Sequence, residues 1–419
     1  MITVAELENG LTVIIEELSS VQSASYELLI PGGIILDREH GVGESLLLAE
    51  ISTRGAGELS SRQLSDAFDD IGVRHSEGAG ADRFAYRGSL LHAHLGRALE
   101  LVSLMVCEPA LPAEELPNIQ SLLLQDILSL PDSPARRVMV ELSQRYYPKP
   151  FERPSHGTEQ GIRDATAASL RQLWKQSYAP RGSVLSIAGN VKTAQVLELC
   201  TQHFGRWSGQ ARILPTFANK PAGGYTHIDF DSAQLQIAFA CPSAKFGDRD
   251  YYAAKLAAQV LSGGMFGRLF LEVREKRGLV YSVNARHMAS QQFGMMLAYA
   301  GTTPERAQET LEVMLAEFER AAGTVTAEEL SRAKANLKAA LILSEESVAS
   351  RASSHASDWW LQRRLRSTKE IHDAVDAVSL DALHAFFDAH PILDPTLVTL
   401  GSRTLNLSGL QAIGRQPAA

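Results

Sequence analysis

PAEELPNIQSLLLQDIL at 112–128 and TAEELSRAKANLKAALIL at 326–343 read as two versions of one segment, a short start signal followed by a helix. From Glu115 to Glu329 the offset is 214 residues, and other stretches keep it to within a few residues. HLGRALELVSLMV (94–106) precedes the first copy as ERAQETLEVMLAEF (305–318) precedes the second. Glu44, moved by the same offset, lands at Ala258 in the helical stretch LAAQVLSG. Three matches in one order at about one offset indicate an internal duplication. The boundary falls in SGQARILPTFANKPAGGYT (208–226), which has Gly, Pro, Ser and Asn and neither a helical nor a strand period. The chain thus divides into an N-terminal half at 1–210, a linker at 211–224 and a C-terminal half at 225–419.

Each half mixes strands and helices. LTVIIEEL (11–18) and SASYELLIPGG (23–33) are β-rich and punctuated, which predicts a hairpin. GVGESLLLAEIS (41–52) predicts a buried helix. SRQLSDAFDDIG (61–72) predicts an amphipathic one, with Ser60 or Ser61 as N-cap and Gly72 as the stop. DRFAYRGSLL (82–91) and SVLSIAG (183–189) are strands, with helices around 95–106 and 113–130. LQIAFACP (235–242) and GMMLAYAG (294–301) repeat the strand pattern. The fold class is α+β: two similar halves, each a mainly antiparallel sheet with helices on one face.

Apolar residues make up 45% and charged residues 21%, ordinary for a globular chain with a large core. The net charge is −8 and no Lys/Arg-rich run stands out, which gives nucleic acid no electrostatic footing as a partner. Cys107, Cys200 and Cys241 are far apart and odd in number, so they form neither a disulfide framework nor a CxxC site. MITVAELENGLTVIIEE has no basic region followed by an apolar one, and no apolar run has membrane-spanning length. The expectation is a cytoplasmic chain with no membrane partner.

LSGGMFGRLFLEVREKRGLVYSV (261–283), followed by YAGTTPERA (299–307), closely resembles the C-terminal half of bacterial M16 peptidases, the insulinase/pitrilysin and mitochondrial-processing-peptidase-like group. LENGLTVIIEE (7–17), GGIILDREHGVG (32–43), RGAGELSSRQLSDAFDDIG (54–72), YAPRGSVLSIAGNV (178–191) and DYYAAKLAAQVLSGG (250–264) follow that family's order, so the resemblance covers nearly the whole chain. It implies two LuxS/MPP-like α/β halves. It further implies a chamber for unfolded peptide built from two such chains, with a catalytic zinc held by the first half of one of them on a His-x-x-Glu-His helix plus a later carboxylate.

That helix pattern has a physical basis. Histidines at i and i+4 lie on one face and share the metal, and the Glu takes a proton from zinc-bound water. In this chain the matching segment is Glu44-Ser45-Leu46-Leu47-Leu48, and the third ligand position falls on Asp126. Leu47 and Leu48 offer neither base nor ligand. These are degenerate metal positions, and the expectation is that this chain binds no metal or cofactor and that zinc belongs to a partner. A substitute site from His40, Glu44 and Asp126 is the alternative, against the plainer reading of solvated polar residues beside a buried helix. His92 and His94 match a helix start. Ser331 and Lys334 fit SxxK, a pattern an amphipathic helix produces by chance.

Arg274 and Tyr281 remain, seven apart in REKRGLVY. The resemblance implies that they reach the active site from the half opposite the zinc and bind the substrate carbonyl. A fixed guanidinium and a phenol are suited to stabilise an oxyanion. The alternative is a surface charge beside a half-buried strand residue. The glycines of the loop Ser262–Gly267, namely Gly263, Gly264 and Gly267, are implied substrate-handling positions, against a plain turn after a helix. The leading expectation is therefore a metal-less subunit of a heterodimeric zinc peptidase, inactive alone and homodimeric without its partner. A scaffold subunit and a hydrolase with a relocated metal are the alternatives.

Overall fold

The computed structural model describes residues 2–216 and 223–408. The chain begins with β1 (Ile2–Glu6), β2 (Thr12–Glu17), β3 (Ser23–Pro31) and α1 (Glu44–Ile51). A short pair β4 (Gly55–Ala56) and β5 (Leu59–Ser60) leads to α2 (Ser61–Asp70), β6 (Arg74–Ala79) and β7 (Arg83–Leu91). Then come α3 (Leu95–Cys107), α4 (Leu116–Leu128), α5 (Pro134–Tyr146), α6 (Glu159–Asp164), α7 (Ala167–Ser177), β8 (Val184–Gly189) and α8 (Thr193–Phe204). The second half runs β9 (Gly224–Asp229), β10 (Leu235–Pro242), α9 (Tyr251–Ser262), β11 (Val280–Ala289) and β12 (Gly294–Thr302). It continues with α10 (Ala307–Thr324), α11 (Ala327–Glu345), α12 (Val348–Gln362), α13 (Thr368–Asp376), α14 (Leu380–Ala389) and β13 (Thr396–Gly401).

The duplication is written in the sheets. One has the order β1-β2-β8-β3-β7-β6 and the other β9-β13-β10-β12-β11. Apart from β1 the two orders superpose element by element. In both, the one parallel pairing among the described residues stands at the same place in the shared order, β2 with β8 and β9 with β13. The predicted α+β class and its mainly antiparallel sheets are as observed. The predicted hairpin of 11–18 with 23–33 does not form: β8 lies between β2 and β3 and pairs with both. Both strands are buried along nearly their whole length, as central strands are, and a hairpin reading cannot anticipate a neighbour some 170 residues away.

Period-2 alternation sets the faces of each sheet. On β3, Ala24, Tyr26, Leu28 and Ile30 enter the core formed with α1, α2, α3 and α8. Leu29 faces the other way, with Ile14, Ala85 and Val184, and meets Ala356 of α12. In the second sheet Ala238, Ala240, Leu297 and Val398 meet Val138, Leu142 and Tyr146 of α5. Each sheet therefore carries one helix on its second face as well, and each of those helices comes from the opposite half of the sequence.

The compact units reflect this. One comprises 1–129, 153–215 and 344–365; the other comprises 130–152, 216–343 and 366–419. They are not the contiguous halves 1–210 and 225–419, because α5 and α12 are exchanged. Of the expected linker at 211–224, residues 217–222 lie outside the described residues.

Candidate functional site

Helix α1 stands where the resemblance puts a zinc-binding helix, and its surroundings are built for something else. Gly43, with φ 118, precedes it. Asp37 caps its start: Oδ2 accepts the Gly43 N–H at 2.7 Å, and Oδ1 accepts the Ser45 N–H at 3.1 Å and the Ser45 hydroxyl at 2.5 Å. Burial pushes the Asp37 carboxyl up to about 6 against the pull of these donors. The loop is held by Arg153, whose Nη1 donates to the carbonyls of Ile34, Ile35 and Asp37.

Glu44 is buried, and both its oxygens are taken by one guanidinium: Oε2 accepts Arg38 Nε at 3.0 Å and Oε1 accepts Arg38 Nη2. Leu47 and Leu48 are fully buried in the core. Asp126 is exposed on α4, and His40 is exposed in the loop before α1. Among the described residues no three His, Cys, Asp or Glu side chains are grouped to hold a metal. A catalytic zinc needs several lone pairs facing one point. Here the Glu44 carboxylate already has a cation in Arg38, and Leu47 and Leu48, three and four residues on, are hydrocarbon, so these residues do not fit the metal.

Ser331 and Lys334 do not form a hydrolase pair, since Lys334 Nζ donates to the Asp376 carbonyl at 2.8 Å. His92 and His94 form a short turn before α3. A cleft of about 850 Å³ lies between α3, α7 and α8, with Cys107, Trp174, Lys175 and His203 in its wall. It contains none of the sequence-predicted site residues, and burial raises the Cys107 thiol to about 12, which rules it out as a nucleophile at neutral pH.

The segment after α9 is more telling. The glycines serve a tight turn: Gly264 has φ +85, and a side chain at Gly267 would sit 2.9 Å from the Ser262 Cα. Between them Met265 and Phe266 are 69% and 65% exposed. Arg268 then anchors the turn from inside. Its Nε and Nη2 bind both oxygens of Glu329 at 2.7 and 2.8 Å, and Nη2 also donates to the Thr324 carbonyl. Glu329 is the repeated glutamate of TAEEL, and it closes a capping box with Thr326.

Two irregular elements follow. Residues Phe270–Glu275 form a π-helix, and β11 opens with a bulge between Val280 and Ser282. Both features are enriched at functional sites because they re-aim side chains. The bulge leaves Tyr281 78% exposed. Arg274, on the π-helix, donates from Nη1 to the Tyr281 carbonyl at 2.8 Å. Its Cζ lies 5.2 Å from the Phe270 ring centroid and 5.5 Å from that of Tyr281.

The structure thus brings together the two residues the spacing singled out. Neighbouring cations each reach a carboxylate: Arg268 pairs with Glu329, and Lys276 and Arg277 share Glu272. Those two pull the Glu272 carboxyl below its usual range, led by the Lys276 hydrogen bond. Arg274 has no carboxylate partner among the described residues. Sequence reasoning missed Phe270, although an aromatic four residues before an arginine on a helix was a usable signal. It also missed Asp37 and Arg38, whose partners appear only once the loop folds back on α1.

The family described as Peptidase M16 inactive domain matches residues 164–337. An uncharacterised zinc protease of Bacillus subtilis is 26% identical over 383 residues, covering 90% of this chain and 92% of that protein. One of Rickettsia bellii is 24% identical and covers 97% of this chain and 98% of its own. The peptidase M16 inactive domain of Pseudomonas fluorescens has a similar structure, with TM-score 0.88, 23% identity and coverage of 97% and 99%. A chain of complex III from Candida albicans shares the fold at TM-score 0.82, 17% identity and 96% coverage of each chain. Its matched inactive-domain segment, its relatives over nearly the full length and the shared architecture make the chain similar to peptidase M16 proteins.

Proposed function

We propose that this chain is a metal-less subunit of a heterodimeric, cytoplasmic M16 metallopeptidase. It receives extended peptide and presents Arg274 and Tyr281 to the scissile carbonyl, while a second subunit carries the zinc. The observation that supports this most is the condition of Arg274. It is exposed, held by a carbonyl and two aromatic faces, and left with its formal charge uncompensated. A guanidinium and a phenol aimed at a forming oxyanion are worth on the order of 10²–10³ in rate each. The Gly263–Gly267 turn, with Met265 and Phe266 exposed at its tip, supplies adjoining contact for the peptide. Without the zinc-bearing subunit the chain pairs with a second copy of itself.

A scaffold role is the second reading, favoured by the fold shared with the complex III chain. Arg274 runs against it, because among the described residues it is the cation of this segment that contacts no carboxylate, which a purely structural role does not call for.

The test is reconstitution with a zinc-bearing M16 chain from the same cell. Peptide hydrolysis by the mixture, absent from either chain alone, is the expected result. Arg274→Ala and Tyr281→Phe each lower kcat/KM by roughly 10²-fold or more. Unchanged hydrolysis with both variants sinks the proposal.

A further inference from the structure

Building on the role given to Arg274, we infer that Phe270 is the positioning residue that aims its guanidinium, and that the Tyr281 ring is not. The two rings beside Arg274 are held differently. Tyr281 is 78% exposed on a bulge, and what it contributes rigidly is its carbonyl, which accepts Nη1 at 2.8 Å. Phe270 is half-buried on a π-helix whose Val273, like the preceding Leu269, is fully buried in the core of its unit. The helix is closed behind it, with Lys276 N–H bonded to the Leu271 carbonyl and Leu279 N–H to that of Val273. The Phe270 face is therefore the one aromatic surface near Arg274 that the core keeps still.

This arrangement has a chemical logic. A carboxylate would fix an arginine and cancel its charge, as Glu329 does for Arg268. An aromatic face within about 6 Å attracts the cation through its quadrupole and leaves the charge intact. Phe270 and the Tyr281 carbonyl occupy one side and one nitrogen of the guanidinium, so Nε and Nη2 remain for a substrate oxygen. The Tyr281 side chain, relieved of holding Arg274, is free to donate its own O–H.

The test uses the full chain labelled with ¹⁵N-arginine, reading the Nε–Hε signal of Arg274, assigned by its loss in Arg274→Lys. The expected signal is displaced by the ring current. It returns to the position of solvent-exposed arginines in Phe270→Leu, stays displaced in Phe270→Trp, and keeps most of its displacement in Tyr281→Leu. Thermal unfolding controls for folding, with Phe270→Met as the substitute if Phe270→Leu does not fold. Displacement that survives loss of the Phe270 ring, or that vanishes equally with Tyr281→Leu, overturns the inference. In the reconstituted peptidase, Phe270→Leu is expected to lower kcat about ten- to a hundredfold with KM little changed, and Phe270→Trp to restore it. If Arg274→Ala leaves hydrolysis intact while the resonance behaves as described, the positioning stands and the catalytic reading falls. If Arg274→Ala abolishes hydrolysis and Phe270→Leu changes neither readout, the positioning falls alone.

Discussion

Arg351 Nη1 lies 2.6 Å from Glu16 Oε1, joining α12 to β2 across 335 positions of sequence. His355, one turn further along α12, reaches the other oxygen of the same buried carboxylate at 3.0 Å. This contact fastens the exchanged helix to its sheet. Removing the carboxylate by Glu16→Ala strands Arg351 and costs roughly 2–4 kcal/mol, less than a fully buried pair because Arg351 is partly exposed. The measurement is the urea midpoint of unfolding. Trp359 and Trp360 stand on α12, so a fluorescence change accompanies the loss.

The same carboxylate gives an acid limit. Burial opposes its charge, but the hydrogen bond and charge of His355, with Arg351, prevail and hold Glu16 below its usual range. A lowered carboxylate pKa means stability present above the unfolded value near 4.5 and lost as pH falls through the folded one. Tryptophan emission in the wild type should shift only once the pH has fallen below the ordinary carboxyl value of 4.5. Glu16→Gln should remove that acid-dependent part.

Asp37 has the opposite sign. Its carboxyl sits at about 6 against an ordinary 3.8, so the folded protein binds the extra proton and stability falls as pH rises from about 4 to 6. The drop is on the order of 2–3 kcal/mol. Asp37→Asn keeps an acceptor for the Ser45 N–H and flattens that slope. Denaturant titrations at pH 4, 5, 6 and 7 check it, and an equal slope in both proteins contradicts the assignment.

Rebuilding the zinc motif should fail. Glu44→His with Leu47→Glu and Leu48→His places a carboxylate and an imidazole at two fully buried core positions. The cost is several kcal/mol, enough to unfold a domain of ordinary stability. Circular dichroism and metal analysis read the result: lost folding and no stoichiometric zinc. A folded, zinc-loaded triple variant would show that α1 has kept more of a metal site than its leucines suggest.

Arg268→Ala should cost about 3 kcal/mol, because it leaves Glu329 with one partner fewer and frees the turn at 263–267. Hydrogen exchange over residues 263–275 should rise well before the rest of that unit responds.

Much of the architecture was legible because the duplication left matching helices at about one offset, and the strand orders repeat it. The resemblance carried by REKRGLVY picked out Arg274 and Tyr281, and their contact was within reach because one short segment carries both residues. Partner choice was not legible. The apolar runs Val13–Ile15 in β2 and Leu28–Ile30 in β3 mark both as buried strands but leave open that β8 separates them. Val138, Leu142 and Tyr146 form a helical stripe that announces burial without saying which sheet receives it. The bulge at Tyr281 and the π-turn at Phe270 come from backbone geometry that no spacing rule encodes, and the ring beneath Arg274 went unseen with them.

The exchanged helices set a timetable for the nascent chain. The first sheet is complete once β8 has been made at Gly189, yet Ala356, which packs on Ile14, Leu29, Ala85 and Val184, belongs to a helix that begins only at Val348 and is still untranslated. At about 5–20 residues per second, translation takes on the order of ten seconds to deliver it. During that interval an oily β-surface faces the cytosol beside the ribosome, and a chaperone stationed at the exit tunnel would find its client there.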